Sequence, residues 1–383
     1  GVIFVNSAGN LPVGQSRAPW QKKPSDVVKY FASRTQSDTI FQPSESVRSI
    51  SVGAINPPNT PHVDGAPTIY TTRGPGLQVG VKPDVATYGG AGGVGPGKPT
   101  GLTSITREGV MQDVVGTSFA APLVARTLAS LDRDTQGTLG TEALRAMLLH
   151  HTVMPEPLTK RGMKDLSRQF AGYGQPSSVA EMLETGDHEV TLVFQSRLTI
   201  GARKPAILRF PFTWPLSLVG PQSQCSGNVK ITLVYSPPLD PAFGAEFVRV
   251  NLEASLRQRQ MRKNQDGQFG YTNQIDARYL PKSSGLGIPE KALIAHGLKW
   301  WPSKQYESNL IDRGETSDWR LEVTSLVRAE SEFPVSGVPF AVLLTIRDPK
   351  GIEPVFAEMR QGLQASRADA RDIRAAARLR PRS

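Results

Sequence analysis

Apolar and polar positions follow one pattern in the first half of the chain and another in the second. The first half has short, unbroken apolar runs separated by long polar stretches. Val2-Ile3-Phe4-Val5 is such a run, and residues 1–10 predict a short, fully buried strand entering a Gly turn. Residues 11–46 are polar and loop-like, with one short helix predicted at Asp26–Ser33. The β-branched run Val47–Ile55 predicts another strand. The stretch 56–110 is rich in Gly and Pro, most of all over Gly89–Gly101, and long loops in compact domains are usually functional or mobile. Ser118–Leu131 then reads as a mostly apolar helix whose small residues suit close packing. Thr141–His151 predicts a second helix with Thr141 as its N-cap, and Gly172-Tyr173-Gly174 punctuates the chain after it.

From His188 onward the period becomes that of strands. Val190–Phe194, Ala206–Phe212, Val229–Tyr235, Phe247–Leu256, Trp319–Val327 and Phe340–Ile346 alternate or carry β-branched runs between Pro and Gly turns. Six or more such strands predict a β-sandwich, which puts a boundary near residue 185. Trp214 and Trp300-Trp301-Pro302 are expected in its core or at a binding edge, not in a catalytic site. No internal repeat is found.

Composition adds a few limits. A length of 383 residues suits two domains or more. No uncharged apolar run reaches about 18 residues, so no membrane span is expected. The single Cys225 cannot form an internal disulfide and fits a reducing, cytoplasmic setting, and the Arg-rich, cysteine-poor composition suggests a bacterial protein. Gly1 has no methionine before it and the chain opens at once on an apolar run, so the natural start is expected upstream. The net charge of +10 is uneven: Arg360–Ser383 holds seven arginines and two aspartates, half of the total. This basic tail, residues 356–383, reads as a solvated, frayed or helical end, with binding to an acidic partner or nucleic acid as the sharper alternative. No aromatic residues interleave with its arginines, which argues against a nucleic-acid platform. No cluster of metal-ligand type stands out, so neither metal nor cofactor is expected.

Chemistry concentrates in Gly116-Thr117-Ser118-Phe119-Ala120-Ala121-Pro122. A serine hydroxyl is a weak nucleophile unless it is exposed, aimed and deprotonated by a base. Placing Ser118 at a helix start exposes and aims it, and the free N–H groups there favour the anion of acyl transfer. Gly116 allows a sharp turn, Ala120 and Ala121 allow close packing, and Pro122 is expected within the first helical turn. This segment resembles the nucleophile motif of the subtilases, Gly-Thr-Ser-x-Ala-Ala/Ser-Pro. Ser7-Ala8-Gly9-Asn10 is similar to the family's strand-Ala-Gly-Asn motif, which implies Asn10 as an oxyanion donor beside the Ser118 N–H, with Ser7, Ala8, Gly9 and Thr117 along the substrate pocket. Ser51–Ile55 and Lys82–Ala86 resemble further family segments in the right order, so the resemblance covers roughly residues 1–180.

A working site also needs a histidine to take the serine proton and an aspartate to orient it. In subtilases both precede the oxyanion asparagine. The five histidines here, His62, His150, His151, His188 and His296, lie outside any such motif. The fold expected is α/β: an incomplete subtilisin-like three-layer domain with a parallel sheet over residues 1–185, a C-terminal β-sandwich over 186–355, and the tail. The function expected is a serine endopeptidase fragment acting on a protein or peptide substrate. The N-terminal remainder of the same protein would be its partner and supply the histidine and aspartate. The alternatives are a pseudoprotease that serves as an interaction scaffold, and a β-sandwich binding module with a vestigial first half.

Overall fold

The structure is a computed structural model that describes residues 1–32, 38–75, 80–184, 186–200, 207–263, 267–275, 290–366 and 375–377. The chain divides into two units. The first comprises Gly1–Thr141, His151–Val179 and Ile294–His296, and the second Glu142–His150, Ala180–Leu293 and Gly297–Ser383.

The first unit is built on a three-stranded parallel sheet, β1 (Val5–Ser7), β2 (Ile50–Ile55) and β3 (Val85–Tyr88), in that order. All six residues of the central strand β2 are buried, as a parallel strand covered on both faces requires. β1 departs from the expectation. It is three residues long and half-buried, and Val2 and Phe4 before it are 76% and 66% exposed. The physical reason is position: among the described residues β1 pairs with β2 alone and forms an edge of this sheet, so apolar character there does not translate into burial.

Helix α1 spans Pro24–Ala32, two residues earlier than Asp26, consistent with proline's aptitude for a first helical turn. Its Val27 and Phe31 pack with Met163, Leu166 and Phe170. Helix α2 (Thr117–Asp134) crosses all three strands of the sheet. Its buried positions Ala120, Val124, Leu128 and Leu131 recur every three or four residues, the spacing of one helical face. The Gly- and Pro-rich stretch hides a small antiparallel hairpin, β4 (Thr103–Ile105) with β5 (Met111–Asp113). The hairpin lies mostly in solvent, so no buried face marks it in the sequence.

The second unit holds two antiparallel sheets. One orders its strands Ser303–Arg313, Cys225–Tyr235, Val338–Arg347, Glu189–Leu198 and Ala375–Ala377; the other orders Phe269–Asn273, Val250–Lys263, Asp318–Val327 and Ile207–Thr213. A single buried cluster draws Leu192, Phe194, Ile231 and Leu233 from the first sheet and Leu252, Leu256, Leu321 and Val323 from the second. The Trp214 and Trp319 rings lie 4.4 Å apart in it, and Trp300 and Trp301 are buried as well.

The strand Ser303–Arg313 escapes sequence reading because three of its five buried positions are polar: Ser303, Lys304 and Gln305 are 1%, 1% and 3% exposed, beside the buried Tyr306 and Leu310. Each polar group must then find a partner. Lys304 Nζ donates to Asn251 Oδ1 at 2.6 Å and to the Leu252 carbonyl, and burial pushes its pKa down to about 7. Gln305 Nε2 donates to the Leu149 carbonyl at 2.6 Å, on helix α3 (Thr141–His150). Residues Glu142–His150 of α3 belong to this unit, and both ring nitrogens of His150 are engaged, by the Thr232 and Thr345 hydroxyls at 2.8 and 2.7 Å. A helix Val355–Ser366 opens the basic tail, most of whose remainder lies outside the described residues. Among the described residues no helix is long and apolar enough to cross a membrane, and no group of three metal-ligand side chains gathers.

Candidate active site

Two turns bring the motif residues together. Gly116 caps α2 with φ +145°, a backbone conformation that side chains other than glycine's rarely tolerate, and this lets the chain turn sharply into Thr117. Ser118 is thereby set exposed at the second residue of the helix. Pro122 sits in the second turn of α2, not the first as expected, so the Ser118 carbonyl lacks the N–H that would normally bond to it from four residues on.

Asn10 follows Gly9, whose φ is +119°. Its Oδ1 accepts from both the Thr117 N–H and the Thr117 hydroxyl, each at 2.9 Å, while Thr117 Oγ1 accepts from the Gly9 N–H at 3.2 Å. With Oδ1 engaged by two donors, Nδ2 is the end of the amide left to donate. A Cβ built on Gly116 would stand 3.2 Å from Asn10 Nδ2 and 3.7 Å from the Ser118 nitrogen. The two nitrogens, with the Phe119 ring at 3.6 Å, therefore border the point that a side chain at residue 116 would fill.

Ser118, Ser7 and Gly9 line one open groove of about 630 Å³, together with Val5, Phe41, Pro43 and Ala125 among others. Ala8 and Thr117 do not line it. Both are fully buried, and Thr117 acts on Asn10 from behind. Phe41, which no motif marked, stands over Gly9: a Cβ on Gly9 would meet the phenyl ring at 2.8 Å, and the Phe41 N–H donates to the Ala8 carbonyl at 3.0 Å.

The polar stretch 11–46 is tied down by charge. Asp38 is buried between Arg17 and Arg73, with Oδ2 2.8 Å from Arg17 Nε and Oδ1 2.9 Å from Arg73 Nε. Arg17 also donates to the carbonyls of Thr68, at 3.3 Å, and Thr71, and its guanidinium lies 4.8 Å from the Phe170 ring. Burial alone would raise the Asp38 pKa, but the hydrogen bonds and charges of the two arginines outweigh it and hold the carboxyl below its ordinary value. Thr71 is bridged to Asn10, so this network braces the segment beside the asparagine.

The histidines sit elsewhere. His62 Nε2 lies 2.8 Å from the Gly92 carbonyl, His188 Nδ1 is 2.9 Å from the Glu353 carbonyl, and His296 lines a separate pocket with Lys82, Asp165 and Arg168. His150 is engaged as described, and His151 follows it. Among the described residues no histidine, aspartate or glutamate lines the Ser118 groove.

Residues 1–174 match the model of the subtilase family. No curated protein matches the chain. Among solved structures, the prenylagaramide maturation protease PagA is similar at 15% identity and TM-score 0.31, over 48% of this chain and 51% of that one. The epidermin leader peptide processing serine protease EpiP from Staphylococcus aureus is 18% identical at TM-score 0.30, over 47% and 39% of the two chains. The Aeromonas sobria serine protease, solved with a chaperone, is 12% identical at TM-score 0.31, over 91% and 65%. The chain thus spans between about two fifths and two thirds of the length of these structures.

Proposed function

Starting from the membership of residues 1–174 in the subtilase family, we propose that this chain carries the nucleophile and oxyanion half of a serine endopeptidase. Ser118 Oγ attacks the scissile carbonyl carbon. The C–O bond forms, the carbonyl oxygen takes up negative charge, and Asn10 Nδ2 with the Ser118 N–H stabilises that charge where it develops. The serine proton passes to a histidine held by an aspartate, both supplied by the rest of the same protein, and then to the amine as the oxyanion collapses and the scissile C–N bond breaks, leaving the acyl-enzyme. Water hydrolyses the acyl-enzyme and regenerates Ser118. Ser7 and Gly9 flank the substrate chain in the groove, with Ala8 and Thr117 supporting them.

The observation that carries this reading is the position of Asn10 Nδ2 and the Ser118 nitrogen, 3.2 and 3.7 Å from the point a Gly116 side chain would occupy, beside an exposed serine. The second unit we read as a β-sandwich appended to the peptidase part, since one buried cluster draws on both its sheets. The division into 1–185, 186–355 and a basic tail is retained in this reading, with Glu142–His150 of α3 and Ile294–His296 as the segments that cross it.

A second reading, a pseudoprotease scaffold, rests on the lining of the Ser118 groove, which among the described residues holds no histidine. Fluorophosphonate labelling of the full-length protein, mapped by peptide mass and compared with Ser118→Ala, separates the two. Stoichiometric labelling of Ser118 with peptide hydrolysis is the expected outcome. A folded full-length protein that neither labels nor hydrolyses is the scaffold.

A further inference from the structure

Tyr70 is 6% exposed, yet its ring carries a hydroxyl that a purely packing role would not need. A buried hydroxyl destabilises unless it is hydrogen-bonded, and it can give one proton and accept two. Tyr70 Oη lies 2.6 Å from the Gly89 carbonyl and 2.8 Å from the Gly90 carbonyl, one of which takes its proton. It also accepts from the Gly116 N–H at 3.1 Å. That N–H points at the Gly89 carbonyl as well, at 2.8 Å, so the turn before Ser118 is closed on the 89–90 segment with Tyr70 Oη as its third corner.

The glycines around the ring fit this arrangement. A Cβ on Gly89 would come within 2.8 Å of the hydroxyl, and one on Gly92 within 2.7 Å of ring Cδ1. Burial raises the hydroxyl's pKa further above its ordinary value, so it remains a donor throughout the working range.

The other end of Tyr70 reaches the second oxyanion donor. Its carbonyl accepts from the Leu11 N–H at 2.7 Å, directly after Asn10, and the next residue, Thr71, forms an antiparallel bridge with Asn10. One residue thus grips the asparagine segment through its backbone and the serine turn through its side chain.

We propose that Tyr70 is a positioning residue whose hydroxyl holds the Gly116 turn, and with it the Ser118 N–H, in register with Asn10. This rests on the oxyanion reading of Asn10 and Ser118. The hydroxyl touches no substrate. Removing it relaxes one donor relative to the other, an error felt in the transition state and hardly at all in substrate binding.

The test is Tyr70→Phe in the full-length protein, which keeps the ring and loses only the oxygen. Per Ser118 labelled by fluorophosphonate, kcat is expected to fall about 10- to 100-fold, the scale of a small misplacement, with KM changed less than about twofold. Affinity for a peptide boronate, which mimics the tetrahedral state, is expected to fall in parallel with kcat. Amide hydrogen exchange in a peptide covering Val114–Ser118 is expected to rise. Unchanged kcat with unchanged exchange overturns the proposal. So does a parallel rise in KM with constant kcat, since that marks a change in substrate binding alone. If the wild-type protein fails to label, the oxyanion reading falls by itself. Exchange then decides: faster exchange in Tyr70→Phe keeps the hold on the turn, and equal exchange removes it.

Discussion

The two units of this chain reach order by opposite means. In the first, the candidate site depends on backbone: glycines at 9, 89, 90, 92 and 116 permit turns or approaches that a Cβ would block, and the side chains that matter hydrogen-bond to main-chain groups. In the second, side chains decide. One apolar cluster spans two sheets, and buried polar groups such as Lys304 and His150 are satisfied individually. The difference teaches where each unit is vulnerable. A lost partner or an added methyl should damage the first unit's function or its bracing. The second should respond mainly through burial and protonation.

The largest expected effect lies in the bracing of the first unit. Asp38→Ala leaves the guanidiniums of Arg17 and Arg73 buried without their carboxylate, and breaking such a pair costs about 3–5 kcal/mol. Urea unfolding followed by Trp20 fluorescence, near Phe31 and Phe170, measures it. Because the folded pKa of Asp38 is lowered, its contribution is present above the unfolded value of about 3.9 and is lost as pH falls through the folded value. Asp38→Asn should therefore flatten the acid limb of the stability profile. An unaltered limb would mean that the carboxylate does not brace this unit.

Gly116→Ala comes next. Its Cβ would press on Asn10 Nδ2 at a backbone angle hostile to alanine, and kcat in the full-length protein is expected to fall about 10²- to 10³-fold. The second unit's melting should not change. If both transitions shift together, the contrast between the units is wrong.

Lys304→Met probes the other side. Lys304 titrates near 7 when folded and near 10.4 when unfolded, so the unfolded chain binds more protons between those values and stability rises with pH across that window. From pH 6 to pH 9 the gain is about 2–3 kcal/mol, at about 1.4 kcal/mol per pH unit once the folded lysine has lost its proton. Thermal melts of the second unit should show this rise in the wild type and its absence in Lys304→Met. Equal slopes would mean that the lysine is not charged at the expense of the fold. The smallest effect is Thr117→Val, which removes the hydroxyl between Gly9 and Asn10 Oδ1. The loss of about 1 kcal/mol should appear as a several-fold lower kcat with KM steady.

The motif-bearing parts of the first unit were legible because their chemistry leaves few alternatives. A serine at a helix start after glycine, and an asparagine after a strand and glycine, appear where they are expected, and the β-branched run that holds β2 reads directly as a strand. What stayed hidden was set by contacts distant in sequence. Tyr70 lies 46 residues from the Gly116 it meets, and Arg17, Asp38 and Arg73 come from segments with no pattern of their own. The family resemblance places Thr117 along the substrate pocket, but helix geometry turns it inward. Val2 and Phe4 look like core by composition and lie exposed beside an edge strand. In the second unit, alternating apolar strands were readable, whereas Ser303–Arg313 was not, since polar residues are buried there through specific partners.

The most direct test of the central claim is the turnover of full-length Asn10→Leu, normalised to Ser118 labelled by fluorophosphonate. If the Asn10 amide acts on charge that exists only in the transition state, kcat falls about 10²- to 10³-fold while KM stays nearly constant. An Asn10→Leu protein that is folded, fully labelled at Ser118 and as fast as the wild type contradicts the account.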